Sequence, residues 1–139
     1  MPLKMNAKEV TSFLHEVFPQ MANEFAIEDL TEDAITVRMK VAEKHLRPGG
    51  TVSGPSMFGL ADCCFYMMVL AHIGREALTV TTNCSIDFMR KPEPCDMIGK
   101  ARLLKIGRSL AVGDVLIYSE GSEKPVAHAN VTYSIPPKT

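Results

Sequence analysis

The chain has 139 residues, of which 46% are hydrophobic, and it carries a formal net charge of -1. This size fits a single domain, residues 1–139, that can bury a substantial core. Charges of both signs are interspersed and tryptophan is absent. Both features argue against a nucleic-acid-binding surface, because such a surface needs basic patches and aromatic stacking platforms.

The N-terminal part is predicted to contain a surface helix and then a β-hairpin. Between Asn6 and Val17 apolar residues recur every three or four positions, which places them on one face of a helix. Residues 25–30 and 34–41 are predicted strands, with Glu32 and Asp33 in the turn between them. The first residues lack the continuous apolar stretch of a signal peptide, and the cysteines at 63, 64, 84 and 95 show no C-x-x-C spacing. We therefore expect a reduced, cytoplasmic protein.

The central stretch from His45 to Gly74 is a glycine-rich loop followed by a long apolar segment. Ser53 is a good helix N-cap, and Pro55 suits the first turn because an N–H at that point has no helical partner. Residues 57–73 are few for a membrane span and include one acid. We interpret them as a buried core helix rather than a membrane segment.

The remaining residues are predicted to form further strands at 77–90, 96–106, 110–119 and 125–135. The first of these alternates, so one face is apolar and the other polar, and the prolines at 92 and 94 end it. Residues 107–109 form a turn. Together the elements predict an α+β domain, with an antiparallel sheet wrapped around one long helix and an extra N-terminal helix.

Asp62 stands out as the only side chain between Arg47 and Arg75 that is fully ionised at neutral pH. Its neighbours three and four positions away offer no basic partner: they are Phe58, Gly59, Phe65 and Tyr66. A carboxylate is costly to bury without a partner, so Asp62 either pairs with a distant arginine or has a function. Near it in sequence, Gly54 opens the helix, where free backbone amides can bind a polarised carbonyl oxygen.

Several blocks of the chain together resemble the hot-dog fold acyl-CoA thioesterases of the phenylacetate-pathway type. The resemblance covers roughly residues 30–136. The blocks are RPGGTVSG at 47–54, LAD at 60–62, IDFMRKP at 86–92, ARLLK at 101–105 and GRSL at 107–110.

This resemblance implies hydrolysis of an acyl-CoA thioester without a metal or redox cofactor. By position, Gly54 matches the glycine whose amide binds the thioester carbonyl, and Asp62 matches the catalytic acid. Thr81 falls near a strand hydroxyl that helps to hold the attacking water. The residues that match frequent contacts to the phosphates of CoA are Arg90, Lys91 and Arg108.

Two positions depart from the family pattern. Many relatives have His-Gly-Gly where this chain has Ser53-Gly54-Pro55. The amide that binds the thioester carbonyl is retained, because Gly54 keeps its N–H. Any role of that histidine is lost or passes to the Ser53 hydroxyl. Arg47 replaces an asparagine or glutamine and could bind a carbonyl or a carboxylate, so the acyl preference of relatives does not transfer.

The chemistry of the residues agrees with a thioesterase. Hydrolysis needs a polarised carbonyl and either an activated water or a carboxylate nucleophile, and both roles of Asp62 stay open. Gly54 and Asp62 lie about 12 Å apart along one helix, too far to act on one carbonyl. The site is therefore expected to span two subunits of a homodimer, or of a dimer of dimers, as the resemblance also implies.

The sequence also leaves room for other functions. A dehydratase or hydratase of the same fold would need a histidine near the amide site, and the chain could also bind acyl-CoA without turning it over. Cys63 or Cys64 with His72 could form a nucleophile and base, but adjacent helical cysteines usually pack in the core. No metal site is expected, because the histidines lack ligand spacing: His15, His45, His72 and His128. Three methionines of the central helix are expected to pack in the core or to line an adaptable acyl pocket: Met57, Met67 and Met68.

Overall fold

A computed structural model of the protein describes residues 2–137. It contains a six-stranded antiparallel sheet in the order β1-β2-β4-β5-β6-β3. The helices are α1 (Ala7–Val17), α2 (Pro19–Ala22) and α3 (Gly54–Ile73); the strands are β1 (Phe25–Leu30), β2 (Ala34–Met39), β3 (Val80–Phe88), β4 (Met97–Ile106), β5 (Leu110–Ser119) and β6 (Ala127–Ser134). A short 3₁₀ turn, Glu43–His45, precedes α3. The predicted α+β arrangement, an antiparallel sheet packed around one long helix with an extra N-terminal helix, is confirmed.

Helix α3 is the centre of the core. Its residues are buried almost all round, including Met57, Met67 and Met68, which is the pattern of a helix enclosed by other elements. By length and composition alone, α3 could cross a membrane. In the folded protein, however, 72% of its most apolar 18-residue stretch is buried. Helix α3 packs tightly on the sheet at Gly113, where a Cβ would lie 2.3 Å from the ring of Phe65 and 2.3 Å from the Arg102 carbonyl oxygen. Only glycine fits there.

Helix α1 covers one end of α3. Asn6 caps it in a reciprocal arrangement with Glu9, each side chain accepting the other residue's backbone N–H at 2.9 and 3.0 Å. The predicted apolar stripe is the buried face, as Val10, Phe13 and Leu14 show. Helix α2 follows directly and was not predicted.

Strand β3 forms one edge of the sheet, next to β6. The prediction of one continuous apolar face is wrong, because a register shift between Thr81 and Asn83 interrupts the alternation. Val80 and Phe88 therefore lie on different faces of the strand, and they are 52% and 51% exposed. The prediction that the strand starts at Ala77 is wrong. Residues 74–79 form turns closed by the Glu76 N–H to the Gly74 carbonyl and the Thr79 N–H to the Glu76 carbonyl, which leaves Leu78 outside the sheet and 78% exposed.

The other strand bounds match the predictions or differ from them by one or two residues, as in β4, which starts at Met97 instead of Asp96. Strands β1 and β5 have the predicted bounds. Strand β2 ends at Met39 instead of Val41, because the N–H of Val41 donates to the Asp96 carboxylate at 2.9 Å rather than to a neighbouring strand. Strand β6 is shorter than predicted by two residues at its start and one at its end.

Candidate active site

The side chain of Asp62 projects from the middle of α3 towards the edge of the sheet formed by β3 and β6. The Thr81 hydroxyl donates a hydrogen bond to Asp62 Oδ1 at 2.6 Å. The Tyr133 hydroxyl lies 2.8 Å from the same oxygen and 3.0 Å from the Asp62 backbone carbonyl. Both partners are neutral hydroxyls. Among residues 2–137 no arginine or lysine pairs with Asp62, so the distant-arginine alternative is not what the structure shows.

The strand register explains why the two hydroxyls meet. Thr81 of β3 and Tyr133 of β6 are directly opposite each other in the antiparallel pair, so their side chains leave the sheet on the same face. That face lies against α3. Tyr133 was not identified from the sequence, where it reads only as one of the buried residues of an alternating strand.

Oxygen Oδ1 of Asp62 is therefore occupied by two donors, while Oδ2 has no hydrogen-bond partner within the described part of the chain. Burial, and then the neighbouring Asp62 carboxylate, raises the pKa of Tyr133 well above its ordinary value. The Tyr133 hydroxyl thus stays protonated and donates. This arrangement fixes the carboxylate and leaves one oxygen free to accept a proton or to attack a carbonyl.

A cavity of about 520 Å³ opens beside Asp62. Its walls come from the end of α1, from α2, the middle of α3, the turns before β3, the start of β3 and the end of β6. The lining residues are Val17, Phe18, Gln20, Cys63, Tyr66, Ala77, Thr79, Val80, Thr81 and Tyr133. Most of these side chains are apolar or aromatic. The cavity can therefore accept an apolar group next to the free oxygen of Asp62.

The start of α3 has the predicted cap. The Ser53 hydroxyl accepts the Ser56 N–H at 3.3 Å and donates to the Ser56 hydroxyl at 2.8 Å. Ser53 is thus engaged in capping. The Gly54 N–H donates no hydrogen bond among residues 2–137, as expected for the first residue of a helix. It is a free donor at the positive end of the helix dipole.

The loop before Gly54 is closed by backbone hydrogen bonds. The Arg47 N–H donates to the Thr51 carbonyl at 2.8 Å, and the Gly50 N–H donates to the Arg47 carbonyl at 2.9 Å. Gly49 and Gly50 adopt φ values of 102° and 83°, which other residues rarely reach. The side chain of Arg47 is exposed.

The three basic residues that match CoA contacts are all exposed and do not lie together in one chain. Arg90 and Lys91 follow β3, where Arg90 Nη1 donates to the Pro125 carbonyl at 2.8 Å. Arg108 occupies the β4–β5 turn and lines a separate cavity at the far end of α3. A single chain brings together Asp62 and Thr81, but not the basic residues.

The cysteine and metal alternatives gain no support. Burial, followed by the charges of Asp62 and Glu24, raises the pKa of Cys63 to about 12, and burial also raises the pKa of Cys64, so both stay protonated thiols. His72 Nε2 lies 2.6 Å from the Glu32 carbonyl. No three His, Cys, Asp or Glu side chains in residues 2–137 are grouped to hold a metal ion.

Comparison with known proteins identifies the family. A sequence model of the thioesterase superfamily matches residues 49–126, more than half of the 139 residues. The chain belongs to the thioesterase superfamily. The matched residues include the Gly54 helix start, Asp62 and Thr81, whereas Tyr133 lies beyond them.

Solved structures of this superfamily share the fold. A candidate thioesterase from Silicibacter sp. TM1040 is 61% identical, with coverage of 99% of this chain and 96% of that one and a TM-score of 0.92. A candidate thioesterase related to phenylacetic acid degradation, from Ralstonia eutropha JMP134, is 21% identical, covers 88% and 98%, and has a TM-score of 0.77. A hypothetical thioesterase from Streptococcus pneumoniae TIGR4, solved with coenzyme A, is 22% identical, covers 93% and 98%, and also has a TM-score of 0.77. The predicted hot-dog fold is confirmed.

Proposed function

We propose that this thioesterase-superfamily protein hydrolyses acyl-CoA thioesters to a free acid and CoA. The observation on which this proposal chiefly rests is the environment of Asp62. Its carboxylate is held by the Thr81 and Tyr133 hydroxyls, has no basic partner in the described chain, and borders a cavity lined by both apolar and polar groups. Such a carboxylate is suited to take a proton or to attack a carbonyl, whereas a structural acid is normally paired with a cation.

Two routes satisfy the chemistry. In the first, Asp62 takes a proton from water, the hydroxide adds to the thioester carbon, the C–S bond breaks, and the CoA sulfur leaves and receives the proton. In the second, Asp62 Oδ2 attacks the carbon directly, the C–S bond breaks and CoA leaves as a thiolate. Water then hydrolyses the mixed anhydride to the acid and the Asp62 carboxylate, and the proton released from that water is taken up by the thiolate. In both, the negative charge that develops on the carbonyl oxygen needs a donor such as the Gly54 N–H.

The proposal places the two groups of one site on different subunits. Gly54 and Asp62 are both on α3, about 12 Å apart along its axis, so one carbonyl cannot contact both. Strand β3 is an unpaired edge with half-exposed Val80 and Phe88, which favours pairing with another chain. In such a homodimer, Gly54 of one subunit would complete the site of Asp62 in the other. Pairing of two such dimers into a tetramer is compatible with this arrangement.

The substrate is proposed to be a CoA ester because a superfamily structure from Streptococcus pneumoniae was solved with coenzyme A. Lys91 and Arg108 are exposed and form no ion pair within residues 2–137, so both are free to meet phosphates. Arg90 already contacts the Pro125 carbonyl. We place the protein in the cytoplasm, since its four cysteines are free.

Reversing the charge of Lys91 or Arg108 to glutamate should raise KM for acyl-CoA by about 10-fold, the equivalent of one charge-assisted hydrogen bond. The same variants should keep the wild-type KM for an N-acetylcysteamine thioester, which has no nucleotide. Steady-state kinetics on both substrates measure this, with Lys8→Glu on α1 as a control for a general change in charge. Unchanged KM for acyl-CoA in both variants would mean that these side chains are ordinary surface charges.

A dehydratase or hydratase of this fold would need a histidine near the Gly54 amide that is free to transfer a proton. The histidine closest in sequence to the Gly54 amide is His45, and both of its ring nitrogens are already hydrogen-bonded, to the Ala42 N–H and to Glu24. Neither nitrogen is available for proton transfer to a substrate. The structure therefore favours hydrolysis over addition or loss of water.

Release of free thiol from a panel of acyl-CoAs, from short to long and aromatic, tests the proposed function. We expect release to exceed the uncatalysed rate for at least one acyl group. If CoA and acyl-CoA bind but no member of the panel is hydrolysed, the protein is an acyl-CoA-binding module and the proposal is wrong.

A further inference from the structure

His45 is a buried histidine whose two ring nitrogens are both used. Its residue is 5% exposed. The Ala42 N–H donates to Nδ1 at 2.8 Å, and Nε2 lies 2.7 Å from Glu24 Oε1. Because a backbone N–H can only donate, Nδ1 accepts, and the ring proton is on Nε2 and is donated to Glu24. The ring is thereby fixed in one orientation.

Glu24, the acceptor, is anchored in turn. It immediately precedes β1, its carbonyl accepts the Lys40 N–H at 2.9 Å, and its second carboxylate oxygen binds Lys44 Nζ at 3.0 Å. Burial alone would raise the pKa of Glu24, but the hydrogen bonds from His45 and Lys44 outweigh it and lower that pKa. Glu24 is therefore a charged acceptor attached to the sheet.

The backbone of His45 connects this pair to the start of α3. The His45 carbonyl accepts the Ser53 N–H at 2.7 Å, and Leu46 and Val52 form the adjacent β-bridge. Residue 53 is thus tied to residue 45 across the base of the loop. The Ser53 carbonyl accepts the Met57 N–H at 3.1 Å, and in a planar trans peptide the N–H points opposite to the carbonyl. The Gly54 N–H is therefore directed away from the helix.

We propose that Glu24 and His45 are positioning residues that hold the Gly54 amide in the direction needed to bind the thioester carbonyl, an inference that rests on the proposed function. Neither side chain contacts the substrate. The sheet holds Glu24, Glu24 holds the ring of His45, and the His45 carbonyl sets the peptide between Ser53 and Gly54. Since a displacement of about 1 Å at a reacting group can cost about 100-fold in rate, this chain of contacts controls turnover more than binding.

We expect the acceptor oxygen of the residue at position 24 to matter more for turnover than the negative charge of that residue. Glu24→Met removes the acceptor, and it should lower kcat about 10-fold with KM changed less than about twofold. Glu24→Gln keeps an acceptor oxygen and should stay within about twofold of wild type. His45→Phe keeps the ring shape but removes both nitrogens, and should act like Glu24→Met. The matched control is Glu28→Met on β1, which removes an acceptor for Arg38 Nε at 2.7 Å but has no link to the loop.

The direct readout is the infrared carbonyl stretch of a ¹³C-labelled acyl-CoA bound to the slow Asp62→Asn variant. In that background the bound thioester should absorb at a lower frequency than in water, because the Gly54 amide polarises it. Adding Glu24→Met or His45→Phe should abolish most of this shift, while Glu24→Gln and Glu28→Met should retain it. A protein that was only less stable would keep the shift as long as it stayed folded.

The outcomes separate the two proposals. Absence of a shift in Asp62→Asn alone, with acyl-CoA bound, contradicts the proposed function of Gly54. If Asp62→Asn alone shows the shift, and the shift persists after Glu24→Met or His45→Phe is added to it in a folded protein, the positioning role is contradicted. If one of these two variants does not fold, the other decides the question by the same measurement.

Discussion

Replacing Asp62 by asparagine should lower thioester hydrolysis by about 10²-fold to 10⁴-fold, the usual contribution of a positioned acid or base. Asparagine has the same shape, and its carbonyl oxygen can still accept the hydrogen bonds that Thr81 and Tyr133 donate to Oδ1. What is lost is the free oxygen Oδ2, because an amide nitrogen neither takes a proton nor attacks a carbonyl. Thiol release at saturating acyl-CoA measures the loss, with the melting temperature recorded in parallel.

Asp114 provides a matched control. It too is a partly buried carboxylate, but it is paired with Arg102 at 3.0 Å and lies 3.1 Å from His128 on the outer face of the sheet. Burial would raise the pKa of Asp114, yet these hydrogen bonds lower it. The ionised group therefore stabilises the fold at neutral pH, and this contribution is lost as the pH falls through its folded pKa.

Asp114→Asn should accordingly lower the melting temperature and leave kcat near the wild-type value. Asp62→Asn should show the opposite pattern. If Asp62→Asn unfolds the chain, or folds and retains full activity, then Asp62 is a structural acid and the proposed mechanism is wrong.

Replacing Gly54 by proline should lower kcat by about 10²-fold to 10³-fold, the cost of removing one oxyanion donor. Gly54 is the first residue of α3, where proline is well tolerated because the N–H has no helical partner. Ser53, with φ -74° and ψ 154°, already has the extended conformation that a following proline requires. The substitution removes the donor, and it also places a Cβ near Phe88 and directly before Pro55, two effects that an alanine at this position shares.

Gly54→Ala is the control for added bulk. A Cβ at this position lies 3.3 Å from Cζ of Phe88, and the half-exposed ring can move by the few tenths of an ångström required. Alanine keeps the N–H, so Gly54→Ala should retain most of the activity. Equal losses in the two variants would show that the side chain at position 54, rather than the amide, affects catalysis.

The sequence was sufficient to predict the elements that depend on local signals. The α3 start followed from Ser53 and Pro55, and the β4–β5 turn from the Gly107–Ser109 stretch, where the Gly107 N–H binds the Leu110 carbonyl at 2.8 Å. The prediction from alternation made β3 too long at its start. The alternating pattern of apolar residues includes Leu78, although the backbone there forms turns.

Contacts between residues distant in sequence could not be predicted. Tyr133 and Thr81 reach the same oxygen of Asp62 because β6 pairs with β3 in a register that sets the two residues opposite each other. No local signal in β6 specifies that register. The Glu24–His45 hydrogen bond likewise joins two elements 21 residues apart. From the sequence His45 reads only as a possible metal ligand, since a lone histidine does not reveal which carboxylate it will contact.

The measurement that most directly tests a site shared by two subunits is activity in a mixture of two inactive proteins, Asp62→Asn and Gly54→Pro. Each must first be shown to fold and to dimerise. A heterodimer contains one site with both an intact Asp62 and an intact Gly54, and one site that lacks both. Random exchange makes half of the dimers heterodimers, so the mixture should recover about a quarter of wild-type activity.

Native mass spectrometry of the mixture, with one variant carrying a mass tag, verifies the fraction of heterodimers, and thiol release measures their activity. We predict that activity rises in proportion to the heterodimer fraction. Heterodimers that form in the expected amount and remain as inactive as their parents would show that Gly54 and Asp62 of different subunits do not form one site.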